Sequence, residues 1–322
     1  MKQPILAYTL TLSTNMWSEK EAPIEYTLRQ PLVEMAYTPV IEKDVACFRF
    51  LVDMAAKEGY NTILVNLADG LEYQSHPEIN LPGAWTKEEL KKELAHIRQL
   101  GLTPVPMLNF SAAHDVWLKK YAYQVSTPAY YQVCQDLIEE VIELFDKPQV
   151  FHLGLDEETH FAQAKHHYSV VRGTQLFAHD AKFFIDVLAR HNAKPWMSSD
   201  FAIHSVSAFD QAIPHDTPVS QTWVKNYHDT YDMPSIQAFI AVSKLGYPLL
   251  PSLSCWKTSD NPKETLEMLR LHTDTRQVVG FIVAPYLLCK EENRYKLMFE
   301  ILHCKEAILS FREDAFAKNQ EV

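Results

Sequence analysis

The segment Val150-Phe151-His152-Leu153-Gly154-Leu155-Asp156-Glu157-Glu158 sets two adjacent carboxylates, Asp156 and Glu157, at the end of a short apolar run. Side chains alternate along a strand, so Phe151, Leu153 and Leu155 share one face and His152, Gly154 and Asp156 the other. The apolar face suits a layer of helices. The second face would carry Asp156 inward, with Glu157 emerging beside it. Two such carboxylates repel each other, and the more buried one is expected to hold its proton. That is one route to a carboxylic acid near neutral pH, able to protonate a leaving group. Gly154 clears space below the pair, and His152 is read as its hydrogen-bond partner or as a satisfied core histidine. An isolated Asp-Glu dipeptide more commonly caps a helix or pairs with a lysine; its location at a strand end is what favours chemistry here.

The residues around this pair must come from other strand ends. Trp223, Trp256 and Tyr286 each follow a predicted strand, where an aromatic face can line a binding pocket; ordinary packing is the competing reading. Asp200 follows another strand and could bind hydroxyls or cap the next helix. Fourteen histidines raise a metal reading. His152, Asp156 and His160, with His166 and His167 downstream, can be assembled into a site on paper. No HExxH and no His-x-His at the first strand end supports it, so neither metal nor cofactor is expected. A GxSxG nucleophile elbow is also missing.

Apolar runs alternate with helical periods along the whole chain. Strands are predicted at Ile5–Leu12, Thr62–Leu67, Leu102–Leu108, Val150–Leu155, Pro195–Ser198, Pro218–Thr222, Leu249–Leu253 and Val278–Ala284. Helices are predicted at Lys43–Glu58, Thr86–Leu100, Pro128–Phe145, Thr174–His191, Val206–Ala212, Ser235–Leu245, Pro262–His272 and Glu291–Phe311. Thr86 with Glu89 reads as a capping box, and Thr127-Pro128 as a cap followed by a first-turn proline. Eight strand–helix pairs imply an α/β fold, a (β/α)8 barrel forming one domain over residues 1–322. With eight glycines among 322 residues and neither GxGxxG nor GxxxxGK[ST], a doubly wound nucleotide-binding sheet loses its main support. The connection over residues 13–42, with Trp17, Tyr26, Arg29 and Tyr37, is too long for a plain turn and is expected to overhang the mouth.

Composition narrows the partners. Lys and Arg number 30 against 41 Asp and Glu, a net charge of −11. An acidic chain without a basic block argues against nucleic acid and anionic membranes. No apolar run is long enough to span a bilayer, and Met1 to Ser13 lacks the pattern of a signal peptide, so a cytoplasmic protein is expected. A leader removed beforehand would instead allow a secreted or periplasmic one. The five cysteines (Cys47, Cys134, Cys255, Cys289, Cys304) lie far apart without CxxC and read as buried, reduced thiols. Association of identical copies stays open.

His-x-Gly-x-Asp-Glu closing the fourth barrel strand resembles the signature of glycoside hydrolase family 20, the β-N-acetylhexosaminidases. Further similarity lies at residues 50–55 with Tyr60-Asn61, at residues 64–69, at Gly101-Leu102-Thr103-Pro104-Val105-Pro106 and at Gln221-Thr222-Trp223. It is loose over residues 43–290 and specific only around 151–157. The resemblance implies a retaining exo-acting glycosidase in which the acetamido group of the substrate is the nucleophile. Glu157 would then be the general acid/base, and Asp156 would orient the acetamido nitrogen and stabilise the oxazolinium intermediate. Asn66, Asp69, Asn109, His152, Asp200, Trp223, Trp256 and Tyr286 would line the carbohydrate pocket. This chain departs from the pattern in its sugar-gripping shell. Asn66 replaces a usual His, Met107 and Asn109 replace acidic residues, and His114 falls one position late. Ser198-Ser199-Asp200 lacks the usual Trp, Pro285-Tyr286 stands for Trp and Glu, and the first strand has no Arg. Two alternatives stay open: a barrel that binds carbohydrate without turnover, and a glycosidase for sugars lacking an acetamido group. The second needs another carboxylate, such as Asp69 or Asp200, roughly 5–9 Å from the acid.

Overall fold

The computed structural model describes residues 3–19, 37–160, 162–221, 234–256 and 258–318, with the backbone alone for residues 165 and 312–318. The apolar and β-branched runs form eight strands: β1 (Ile5–Thr11), β2 (Thr62–Asn66), β3 (Thr103–Met107), β4 (Val150–His152), β5 (Lys194–Ser198), β6 (Val219–Ser220), β7 (Ser252–Leu253) and β8 (Gly280–Val283). Each is followed by a helix: α1 (Val45–Lys57), α2 (Lys87–Gln99), α3 (Pro128–Leu144), α4 (Thr174–Arg190), α5 (Val206–Ala212), α6 (Pro234–Lys244), α7 (Asn261–His272) and α8 (Arg294–Lys318). The strands pair in parallel in the order β6-β5-β4-β3-β2-β1-β8-β7. Between β6 and β7 the ring is closed by backbone bonds from Leu250 to Val219 (2.8 Å) and from Ser252 to Gln221 (3.0 Å). The molecule is therefore a (β/α)8 barrel.

The helix starts follow from local chemistry. Asp44 accepts from the Cys47 N–H, Thr127 from that of Tyr130 and Ser205 from that of Ala208. Thr86 and Glu89 form the reciprocal capping box ahead of α2. Among the described residues no helix is long and apolar enough to cross a membrane.

Two apolar layers result from the alternation along the strands. Outward residues such as Tyr8, Leu10, Ile63, Val65, Phe151, Leu153 and Met197 pack against the helices. Inward residues Ala7, Leu64, Val105, Trp196, Leu250 and Ile282 fill the barrel. Toward the C-terminal ends of the strands the buried residues turn polar: Thr11, Asn66, His152, Ser198, Ser220 and Ser252. A barrel with an apolar base and a polar rim places hydrogen-bonding groups where barrel enzymes do their chemistry.

One strand ends early. Ladder pairing in β4 stops at His152, short of the predicted Leu155. Gly154, Leu155 and Glu157 all adopt positive φ (67°, 65° and 55°). The segment still bonds its neighbours, through Phe110 to Leu153 (3.2 Å) and Ser198 to Gly154 (2.9 Å), but it bends as it does so. Alternation therefore does not aim Asp156; the bend does.

Candidate active site

The bend exists because of what lies beneath it. The Asn109 side chain, arriving from the end of β3, passes directly under Gly154. A Cβ on Gly154 would sit 2.1 Å from Asn109 Oδ1. That oxygen accepts the backbone N–H groups of Ser111 and Leu155, both at 3.1 Å. The Asn109 amide nitrogen is thereby turned toward Asp156 and donates to its Oδ1 at 2.7 Å. One amide thus ties the β3 loop, the β4 bend and the first candidate carboxylate together.

Asp156 and Glu157 differ sharply in setting. The Asp156 side chain is 33% exposed and that of Glu157 65%. His114 lies between them, Nδ1 at 3.4 Å from Asp156 and Nε2 at 3.6 Å from Glu157. Burial would raise the Asp156 carboxyl, but the charge and proximity of His114 and the Asn109 hydrogen bond outweigh it and hold the group well below the usual carboxylate range. This corrects the sequence expectation: the more buried carboxyl of the pair is held ionised and does not keep its proton, because donors converge on it. His152 is also neutral near pH 7, pushed down to about 4 by burial against the opposing pull of Asp156. Its Nδ1 accepts the Gly154 N–H at 3.0 Å, so it braces the bend.

Next to the pair, Asp200 is a carboxyl that burial does push up. Desolvation first, then the charge of Asp156, raises it to about 7. Its Oδ2 accepts the Glu157 backbone N–H at 2.7 Å, holding that residue in its left-handed conformation. Such conformations cost about 1–3 kcal/mol each and persist only where surroundings over-determine them.

Behind the pair, Glu158 anchors the same turn. Its carboxylate accepts the Ala112 N–H (3.0 Å) and the Arg172 N–H (2.8 Å), and it pairs with the Arg172 guanidinium. Arg172, 1% exposed, also reaches Asp180 (2.9 Å) and the Phe110 carbonyl (3.1 Å). Burial works against this charge, and Glu158 and Asp180 more than offset it, so the guanidinium is held ionised.

The opposite side of the mouth is aromatic. Tyr286, after β8, meets Trp17 from the first loop and Trp256 from the end of β7, each edge-on with centroids 6.2 Å apart. Asp69 serves the first loop. It is fully buried and accepts from the Ser13 hydroxyl (2.5 Å) and the Asn15 amide (2.9 Å). Burial raises its carboxyl despite those bonds. Asn15 in turn bonds Thr38 in both directions (3.0 and 2.7 Å), joining the two described ends of the long loop at the rim. Asn66 is buried at the end of β2, its amide 3.5 Å from the Met16 sulfur. Beside the mouth, loops following β1, β3 and β4 line an open, shallow cleft of about 550 Å³ that includes Glu19, Tyr37, Lys119 and Tyr123.

The structure thus brings Asn109, His152, Asp156, Glu157 and Asp200 into one connected group, and sets Trp256 and Tyr286 across from it. Asp69 lies in the loop clamp. Trp223 and Arg29 lie outside the described residues. Sequence reasoning named His114 only as displaced from the family pattern and passed over Glu158 and Arg172 as parts of the site. The third acid in Asp156-Glu157-Glu158 was the one available signal for the anchoring pair.

Neither a protein-family model nor a curated relative matches the chain. Solved structures do match it in shape. Dispersin B superposes with a TM-score of 0.62 at 13% identity, over 96% of this chain and 99% of its own. A glycoside hydrolase family 20 β-N-acetylglucosaminidase gives 0.65 at 13% identity, over 95% of this chain and 70% of its own. The family 20 exo-β-N-acetylglucosaminidase of Vibrio harveyi, solved with N-acetylglucosamine, gives 0.64 at 14% identity; 95% of this chain matches about half (54%) of that one. The barrel is thus similar in fold to those of glycoside hydrolase family 20.

Proposed function

We propose that this barrel is a retaining exo-β-N-acetylhexosaminidase-like glycosidase working by substrate assistance. One observation carries the reading: an ionised Asp156, oriented by Asn109 and His114, stands beside the open Glu157 carboxyl at the mouth. The similarity in fold to family 20 barrels adds support.

In the first step Glu157 gives its proton to the glycosidic oxygen as the bond to the anomeric carbon breaks. The acetamido carbonyl oxygen of the same sugar forms the new bond to that carbon, giving an oxazolinium. Asp156 accepts the acetamido N–H and offsets the positive charge that develops there. Water then adds to the anomeric carbon as the bond from that carbon to the acetamido oxygen breaks, passing its proton to Glu157 and regenerating the acetamido group, and two inversions leave the configuration retained. Trp256 and Tyr286 would stack on the ring, with Asn66 and residues near the first loop meeting its hydroxyls. A second carboxylate as nucleophile finds less support. Asp69 is spent on Ser13 and Asn15, and Asp200 is buried with one oxygen on the Glu157 backbone.

The test is turnover of aryl β-N-acetylglucosaminide and β-N-acetylgalactosaminide beside the plain glucoside and galactoside. Only the N-acetyl substrates should be cleaved. Glu157→Gln should lower kcat by about 10²- to 10⁴-fold, the usual worth of a general acid, and Asp156→Asn should lower it comparably. Equal cleavage of plain glycosides would remove the acetamido group from the mechanism, and failure of all four substrates would favour a binding barrel.

A further inference from the structure

The β7 end and α8 hold a cluster that the catalytic reading does not use. Cys255 leaves β7 just before Trp256. Glu300 and Cys304 lie one helical turn apart on α8, on the same face. One ligand atom from each of the three lies within 4.8 Å of the others. Glu300 is 4% exposed, Cys304 is fully buried and Cys255 is half-buried. Glu300 accepts the Cys255 N–H at 2.9 Å and a Ser254 hydroxyl. No cationic side chain pairs with it among the described residues. A buried carboxylate beside two thiols and away from lysine or arginine is costly as an anion, and a divalent cation supplies the missing charge.

From this geometry we infer that Cys255, Glu300 and Cys304 form a binding site for a thiophilic divalent metal of the zinc type, tying the end of β7 to α8. Two thiolates and a carboxylate suit zinc in preference to magnesium or calcium, and a water would complete a tetrahedron. On binding, the two thiols and the Glu300 carboxyl give up their protons to solvent. The side chains belong to the layer between strands and helices, so the ion would not face the sugar. Its effect on the mouth would pass through Cys255 to the neighbouring Trp256. A second thiol pair, Cys47 with Cys289, is also in hydrogen-bond contact, but it is not joined by a third ligand among the described residues. It serves as the internal control. The inference does not depend on the proposed glycosidase activity.

The experiment is titration of the reduced protein with Co²⁺ and then Zn²⁺ under anaerobic conditions. One equivalent of Co²⁺ should produce a thiolate-to-cobalt charge-transfer band in the near ultraviolet, bleached by one equivalent of Zn²⁺. Cys255→Ser and Cys304→Ser should each abolish the band. Glu300→Gln should weaken Zn²⁺ binding by more than about tenfold, a scale reached even by outer-shell partners. Cys47→Ser should leave both readouts unchanged. If Cys304→Ser does not fold, the half-buried Cys255→Ser decides the matter. A missing band, a band that survives Cys255→Ser, or a Cys255–Cys304 disulfide in protein that takes up no cobalt would each overturn the inference.

Discussion

On the side of the mouth formed by β3, β4 and β5, charged and amide groups bond one another over 2.7–3.1 Å, from Asn109 through Asp156 and from the Glu157 backbone to Asp200. On the side formed by β7, β8 and β1, three aromatic rings meet edge to face at 6.2 Å. The first arrangement fixes orientation, because each polar atom has few acceptable positions once buried. The second offers area with loose angular demands. Proton transfer needs placement to a fraction of an ångström, whereas holding a ring against a wall does not. The departures from the family 20 pattern sort along the same line. Asn109 departs from it and yet has a defined donor role; Tyr286 departs from it and simply contributes another ring.

The largest expected effect lies on the bonded side. Arg172→Met removes one partner of a buried network and leaves Glu158 and Asp180 without their cation. Breaking such a pair typically costs about 3–5 kcal/mol. Urea denaturation should show that loss, with the Glu157 turn loosened and turnover reduced alongside it. A variant of near wild-type stability would mean that the anchoring pair is not what holds the turn.

The fold was legible in the sequence because strand and helix periods were strong and capping signals were local. The Thr86–Glu89 box and the Val206–Ala212 helix stand where the pattern placed them. Boundaries blurred where geometry overrode alternation: β4 stops at His152 because Asn109, distant in sequence, needs the space under Gly154. In the site, the Asp156-Glu157 motif was visible as a motif. The ionisation of Asp156 was not, since it depends on His114 and Asn109, which no spacing rule connects to it. Arg172 was hidden for the same reason: a lone arginine in a loop has no signature until its carboxylates are found.

A second break in the bonded side targets its hub. Asn109→Asp keeps the acceptor for Ser111 and Leu155 but replaces the donor to Asp156 with a like charge. Losing a donor aimed at a charged centre typically costs about 10²- to 10³-fold in rate. Steady-state turnover of the aryl N-acetylglucosaminide should fall on that scale, and the melting temperature should fall with it because the new carboxylate is buried against Asp156. Gly154→Ala should reach the same end by steric means, since its Cβ would collide with Asn109. It should also lose stability through the left-handed backbone.

Asp200 gives a smaller, pH-dependent effect. Its folded carboxyl titrates at about 7, above the unfolded range. Between those values the folded state binds more protons than the unfolded one, so this group's contribution to stability falls as pH rises from about 4 to about 7 and levels off above. Asp200→Asn retains an acceptor for the Glu157 N–H without the charge. Its stability relative to wild type should therefore rise across that window, by at most a few kcal/mol. Denaturation midpoints at pH 5, 6, 7 and 8 (chosen to straddle the titration) would read this directly; parallel curves for the two proteins would remove Asp200 from the pH response.

The aromatic side should yield the smallest effect and a different kind of one. Trp256 is half-buried and touches Tyr286 edge-on, so truncating it removes apolar area and an aromatic contact worth about 0.5–1.5 kcal/mol. It does not touch the Asn109–Asp156 bond or the support of Glu157. If the wall only holds the sugar ring, ground state and transition state lose equal binding, which raises KM and leaves kcat in place. Trp256→Ala should therefore raise KM several-fold, with kcat within about twofold of wild type. A fall in kcat comparable to that of Asn109→Asp would instead show that the wall aligns the anomeric carbon with Glu157. The contrast between an orienting side and a holding side would then fail, and both halves of the mouth would belong to the chemistry.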